Sequence, residues 1–404
     1  MMRSHVKRLI NAPITGEQVY LVAFSFMLFI SFLMTTTFTD YFHTRPLQLI
    51  SYAGVGLLVL KIYLFDHHDA TKLIVITLLL GVAFLSWRKS QSYLILDMMA
   101  LILGAKGVHF RKIIKWYYQI GLIMLIAVIL YSLMGVITNL AYVVQDRGIR
   151  YALGIVYPTD LASHVLYLMA AKSYLDFKKL CWKHYVFFLV MALLMWQVAN
   201  ARLSTITAII LVVCLIIAKK AQNGNRSAQQ TASLYWIFTP ILIFVDIMAT
   251  LNYDPMNQLF IKANSIFSNR LALSSEALQK YGVNLWGNHV IEHGWGGAKG
   301  LKMADSNALK YFYIDSSYIR LLIIYGVVAL ILITVIMMYI SLRATVEYDY
   351  ALVTVMLVVT LSCLVEQHLL DISFNPFLLA TFAMTWSKKK ENPNEKSHSD
   401  GFLQ

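Results

Sequence analysis

About twelve stretches of this chain stay apolar for roughly the thickness of a bilayer, and that narrows what it can fold into more than any other feature. They centre on residues 19–34, 47–65, 73–87, 93–108, 117–137, 155–171, 185–198, 206–218, 234–251, 318–340, 351–364 and 372–386. A helix needs about 20 apolar residues to cross the hydrocarbon core. Composition agrees: of 404 residues, 59% are hydrophobic and only 14% charged, where a soluble domain carries roughly a quarter charged. The expected fold is all-α and polytopic, with about twelve transmembrane helices. Residues 1–386 read as a single transmembrane domain, and the polar stretch 387–404 as a disordered tail. The first run follows Arg3, Lys7 and Arg8 as a signal peptide would. It lacks a small-residue cleavage site and heads a series of spans, so it reads as retained.

The basic residues set the orientation. Lys61 and Lys72, Lys106 to Lys115, Lys172 to Lys183, Lys219 to Arg226, Arg343 and Lys388 to Lys396 fall on one side with the N-terminal cluster. The other side holds only Arg45, Arg88, Lys89, Arg147, Arg150 and Arg202 in its short loops. By the positive-inside rule, both termini are expected in the cytoplasm. The same asymmetry accounts for much of the net charge of +13 and removes the main support for nucleic-acid binding. Cys181 falls in an inner loop and Cys214 and Cys363 in spans, without disulfide or metal-ligand spacing.

One extramembrane segment is large, residues 252–312 on the outer side. It alternates a helix-compatible stretch, 271–281, with glycines at Gly287, Gly294, Gly296, Gly297 and Gly300. Idle connections are rarely so long. The acidic residues Asp40, Asp97, Asp146, Asp160, Asp246, Asp254, Asp315, Glu366 and Asp371 map to the outer half of the chain's spans. Interface positions account for about half of them, but Asp97, Asp160 and Asp246 sit deeper, where charges face polar cavities or partners. A wet cavity open to the outside is expected. Carboxylates there suit sugar hydroxyls, and guanidinium groups suit phosphate.

Four stretches carry specific chemistry. The run Arg147 to Asp160 leads from an outer loop into the sixth span, with Pro158 at a helix start and Thr159 or Asp160 as candidate caps. Asn200-Ala201-Arg202 is a tight outer turn, where an arginine at a helix N-terminus opposes the dipole unless an anion is bound. Arg270 stands in the large loop, followed by Gly287-Asn288. Asp315-Ser316-Ser317-Tyr318 opens the tenth span. One further motif, His289 to His293, fits H-x-x-E-H. The flanking glycines leave hardly more than one helical turn for it, so a zinc site is not expected there.

The four stretches, in this order and topology, resemble bacterial polysaccharide repeat-unit polymerases of the Wzy type, over roughly residues 147–379. The matching elements are Arg150 through Asp160, Arg202 before a span, Arg270 with Gly287-Asn288, and Asp315 to Tyr318 with Gly326. The resemblance implies glycosyl transfer for capsule or exopolysaccharide synthesis at the outer face of the bacterial cytoplasmic membrane. The donor would be a glycan on undecaprenyl pyrophosphate and the acceptor a repeat unit on the same carrier. Flippase and chain-length regulator proteins are the implied partners, and no cofactor or metal is implied. Arg202, Arg270 and Arg150 are the expected pyrophosphate ligands, with Tyr157 and Tyr318 as further substrate-binding residues. Asp315 is the first candidate base, with capping of the tenth span as its alternative role, and Asp160 the second. Related ligases carry a histidine near the Asp315 position; this chain has none there. An outer-face oligosaccharide ligase and a lipid-linked oligosaccharide flippase are the rival functions.

Overall fold

The computed structural model describes residues 15–42, 44–144, 148–306 and 310–385 of the chain. Arg3, Lys7, Arg8, Asp146, Arg147 and the tail from 387 lie outside the described residues. Among the described residues, eight helices are long and apolar enough to cross a membrane: Gly16–Met34, Thr44–Phe65, Ala70–Ser90, Phe110–Leu133, Trp182–Ala199, Arg202–Gln222, Arg226–Leu251 and Val327–Val346. The chain is a multi-pass, all-α membrane protein. Its only described sheet is a small hairpin, Ala141–Val144 against Gly148–Tyr151.

The remaining apolar runs depart from simple spans, and the reason is burial. Tyr350–Cys363 has 14 residues, and every one but Leu361 is buried. A helix apolar all round is a core element, and this one packs against Arg202–Gln222 and Val327–Val346. Leu94–Gly104 has 11 residues. Its last carbonyl and the turn after it are met by Lys61, whose buried ammonium donates to Gly104 O at 2.8 Å and Lys106 O at 2.5 Å while pairing with Asp66 at 2.8 Å. A residue read as a cytoplasmic anchor thus also caps a helix.

The run 372–386 is not a helix. Its described part is a series of turns around the short 3-10 segment Phe377–Thr381, closed by a bridge at Met384. Asn375 precedes Pro376, and a residue before proline is steered away from the helical region. The segment still traverses the bundle. Asp371 accepts from Ser31 near one end of Gly16–Met34, whereas Met384 pairs with Val108 and Phe110 at the opposite, lysine-rich end. Non-helical backbone at membrane depth is tolerated only when protein satisfies it. Here Tyr117 Oη donates to Phe374 O at 2.5 Å, and Asn375 Nδ2 donates to Leu369 O at 2.9 Å.

The run 318–340 is broken at Gly326, which has φ +96°. Ser317–Arg320 continues into a wide turn, Leu321–Tyr325, and the helix restarts at Val327. The long loop docks into this break. Asn288 donates its backbone N–H to Ile323 O and Ile324 O, both at 3.1 Å, and its side chain to Ile323 O at 3.0 Å. Val327 and Val328 donate in return to Asn284 O and Leu285 O. The approach is so close that a Cβ on Gly287 would stand 1.9 Å from Ile324 O, and one on Gly326 2.4 Å from Leu285 O. Two distant sequence signals, Gly287-Asn288 and Gly326, are therefore one backbone junction. It fixes the loop, with its helices Gln258–Ile266, Arg270–Tyr281 and Gly297–Ser306, over the bundle.

Candidate functional site

Arg270 occupies the first turn of Arg270–Tyr281, the helix expected from the loop sequence. Asn269, at φ +66°, turns the chain into it, and Asn264 Oδ1 accepts from Ala272 N at 3.0 Å to hold the helix start. The guanidinium then reaches two carboxylates from elsewhere in the chain. Its Nε lies 3.2 Å from Asp315 Oδ2, and a terminal nitrogen lies 3.6 Å from Glu366 Oε1. Asp315 is free for this contact because Ser316 caps the helix instead, accepting from Tyr318 N and Ile319 N. The capping alternative for Asp315 is thereby displaced by one residue. Ser316 in turn donates to Asp246 at 2.5 Å, which gives that deep carboxylate its partner.

Glu366 is buried and also meets Ser204 Oγ at 3.4 Å and His368 Nε2 at 3.7 Å. His368 Nε2 faces Asp160 Oδ1 at 3.4 Å. Phe374 stacks on the His368 ring at 3.7 Å and on His164 at 4.0 Å. Pro158 opens the Pro158–Asp176 helix as expected, but Tyr157 holds the cap position without a side-chain bond. Neither Thr159 nor Asp160 caps the helix. Asp160, on its first turn, is turned toward the cavity instead.

Two adjoining cavities surround this cluster. The first, about 600 Å³, is lined by Asp160, Thr39, Arg45, Lys299, Tyr313 and Gln367 among others. The second, about 890 Å³, is lined by Arg150, Arg202, Arg270, Ser204, Glu276 and Lys310 among others. Both share Tyr157, Thr159, Trp295, Tyr311, Asp315 and Glu366. The three arginines thus belong to one chamber, Asp160 to the other, and two carboxylates stand at the junction. Trp295 and Tyr311, with ring centroids 4.8 Å apart, form an aromatic wall there.

The arginines differ in how far they are committed. Arg150 is buried, donates to Ala199 O at 2.8 Å and lies over the Tyr157 ring at 5.7 Å. Arg270 carries two carboxylates. Arg202 is exposed at the first position of Arg202–Gln222 and has no ion pair among the described residues. Electrostatics follow from this uneven pairing. Burial pushes the Asp315 carboxyl above the ordinary carboxylate range, against the pull of Arg270. Burial pushes Glu366 up to about 7, with Arg270 opposing and Asp315 adding.

Other expected residues fall elsewhere. Tyr318 is not a cavity residue: it is fully buried, and its hydroxyl donates to Thr360 O at 2.8 Å. Asp97 is buried but lines neither cavity. Glu292 of the H-x-x-E-H stretch is held bidentately by Arg320 at 2.7 and 2.9 Å, and His289 Nδ1 faces Ser90 O at 3.3 Å. Among the described residues, no group of three or more His, Cys, Asp or Glu side chains is placed to hold a metal ion.

His368, Trp295 and Tyr311 were not singled out by sequence. His368 alone left a signal: Glu366-Gln367-His368 is a polar triplet inside an apolar stretch. Its position also changes one inference, since a histidine absent beside Asp315 in sequence is supplied to the cluster by another segment. Comparison of the chain with protein-family models, curated proteins and solved structures finds no match.

Proposed function

We propose that this chain is a glycosyltransferase that polymerises oligosaccharide repeat units carried on undecaprenyl pyrophosphate, at the outer face of the bacterial cytoplasmic membrane. One observation supports it most: a chamber with three arginines adjoins a chamber with a carboxylate, and Asp315 and Glu366 line both. A transfer between two lipid-linked glycans asks for such a division. In the arginine chamber, the donor's pyrophosphate gains charge as its bond to the anomeric carbon breaks. Fixed guanidinium groups in a site of limited water access stabilise that charge. In the other chamber, an acceptor sugar can lie against Trp295 and Tyr311 while a carboxylate receives its hydroxyl proton. Capsule or exopolysaccharide synthesis, with flippase and chain-length regulator partners, belongs to the same reading.

A second reading is an outer-face ligase, favoured by His368 standing 3.4 Å from Asp160. Purified protein supplied with lipid-linked repeat units separates the readings. A polymerase builds a ladder of products. A ligase caps a foreign acceptor once, and a flippase leaves chain length unchanged. The absence of a ladder with competent substrate sinks the polymerase proposal.

A further inference from the structure

Three carboxylates cluster around Arg270 and His368, and their partners are unequal. Asp315 and Glu366 both face Arg270, at 3.2 and 3.6 Å. Asp160 has no guanidinium partner among the described residues; its near neighbour is His368 Nε2 at 3.4 Å. Asp160 also lines only the chamber without the three arginines. A carboxylate paired with a guanidinium is a weakened proton acceptor, because the same positive charge that holds it favours its ionised form. A leaving pyrophosphate and a base should also not compete for one arginine.

We infer that Asp160 is the base that takes the acceptor hydroxyl's proton, that His368 is its positioning residue, and that Asp315 tethers Arg270 rather than acting as base. The assignment rests on the glycosyl-transfer reading. In the step, the acceptor oxygen forms a bond to the donor's anomeric carbon. Its proton passes to Asp160, and the carbon–oxygen bond to pyrophosphate breaks with its electron pair leaving on the pyrophosphate. His368 Nε2 is buried without an aligned hydrogen bond among the described residues and lies between Asp160 and Glu366 at 3.4 and 3.7 Å. Contacts of this kind are often long before substrate binds and tighten in the complex. Phe374 fixes the imidazole plane by stacking on it. The charged and titratable groups facing His368 are Asp160, Glu366, His164 across Phe374, and Arg270 and Arg320 farther off.

The test compares Asp160→Asn, Asp315→Asn and His368→Gln in purified, reconstituted full-length protein, measuring chain extension against pH and donor concentration. Asp160→Asn should lower kcat by about 10²–10⁴-fold, the usual share of general base catalysis. Its binding of a single glycosylated undecaprenyl pyrophosphate should stay near wild type, which also reports that it is folded. Asp315→Asn should act mainly on donor KM. His368→Gln should displace the acid limb of the kcat profile, which a purely structural role would not do. It carries the test alone if Asp160→Asn fails to accumulate.

Near wild-type kcat in Asp160→Asn, or an unmoved acid limb in His368→Gln, overturns the assignment while leaving glycosyl transfer intact. No extension by the wild-type protein with competent substrate overturns both.

Discussion

Arg270 and Asp315, 45 positions apart in sequence, meet at 3.2 Å where the long loop folds back over the start of the Ser317–Arg320 helix. Their contact is an ion pair without an aligned hydrogen bond, since Arg270 Nε has no acceptor in hydrogen-bonding geometry among the described residues. An arginine held by charge but not by geometry can turn toward a better ligand. A pyrophosphate, with several oxygens, offers the bidentate contacts that one carboxylate oxygen does not.

The first prediction concerns stability. Arg270→Met leaves Asp315 and Glu366 buried without their shared cation. Removing one partner of a buried pair costs about 3–5 kcal/mol, less where the stranded group can take up a proton. The thermal midpoint of the detergent-solubilised variant should fall clearly below wild type, and by less at pH 6 than at pH 8, because Glu366 protonates near 7. An equal midpoint at both pH values and no loss would mean that Arg270 does not offset those charges.

The second concerns donor binding and pH. Glu366, with its carboxyl pushed up to about 7, is largely neutral below that pH and largely anionic above it. Ionised, it occupies Arg270 and repels a bound pyrophosphate; neutral, it does neither. Affinity for a glycosylated undecaprenyl pyrophosphate, a diester that does not itself titrate near neutrality, should therefore weaken as pH rises through about 7. Glu366→Gln should flatten that dependence and hold the tighter affinity at pH 8. Binding isotherms at pH 6, 7 and 8 for both proteins decide the matter.

The third concerns orientation. Cys181 is exposed beside Lys178, Lys179 and Lys183, the side read as cytoplasmic. Met256 is 87% exposed in the large loop read as outside. In intact cells, a membrane-impermeant maleimide should label Met256→Cys and leave native Cys181 untouched until the membrane is opened. Labelling of Cys181 in sealed cells inverts the topology.

What the sequence made legible was what periodicity and local chemistry determine. Apolar runs marked most of the helices, Pro158 and Arg202 marked helix starts, and 271–281 marked the helix that carries Arg270. The rest depended on distant neighbours. Whether Asp315 capped the tenth span or served the site could be decided only once Arg270 was seen to claim the aspartate and Ser316 to take the cap. The run 372–386 was apolar enough for a span, yet Pro376 and the polar groups of Asn375 and Tyr117 make it a buried irregular crossing. The polar triplet at 366–368 flagged His368, but not its partner, because Asp160 is over 200 positions away. Gly287 and Gly326 were visible separately, but only the fold shows that each must lack a side chain because the backbone of the other's segment stands against it.

The last prediction concerns Arg202, the least committed of the three arginines. It is exposed in the second chamber, at the first position of a helix, with no ion pair among the described residues. A cation there opposes the helix dipole by a few tenths to about 1 kcal/mol, so its presence favours a bound anion shared with the free N–H groups of the first turn. Because it is exposed and has no ion pair among the described residues, Arg202→Ala should leave expression and thermal midpoint unchanged. It should still lower the extension rate by about 10²–10³-fold, the usual loss of one leaving-group donor. Arg202→Lys should rescue only in part, since lysine keeps the charge but loses the planar fork. An arginine that merely reaches for lipid phosphates would behave otherwise, with lysine a full replacement. The measurement is ladder formation per amount of folded protein for the three variants. A near wild-type rate in Arg202→Ala moves the pyrophosphate contact inward, to Arg270 and Arg150.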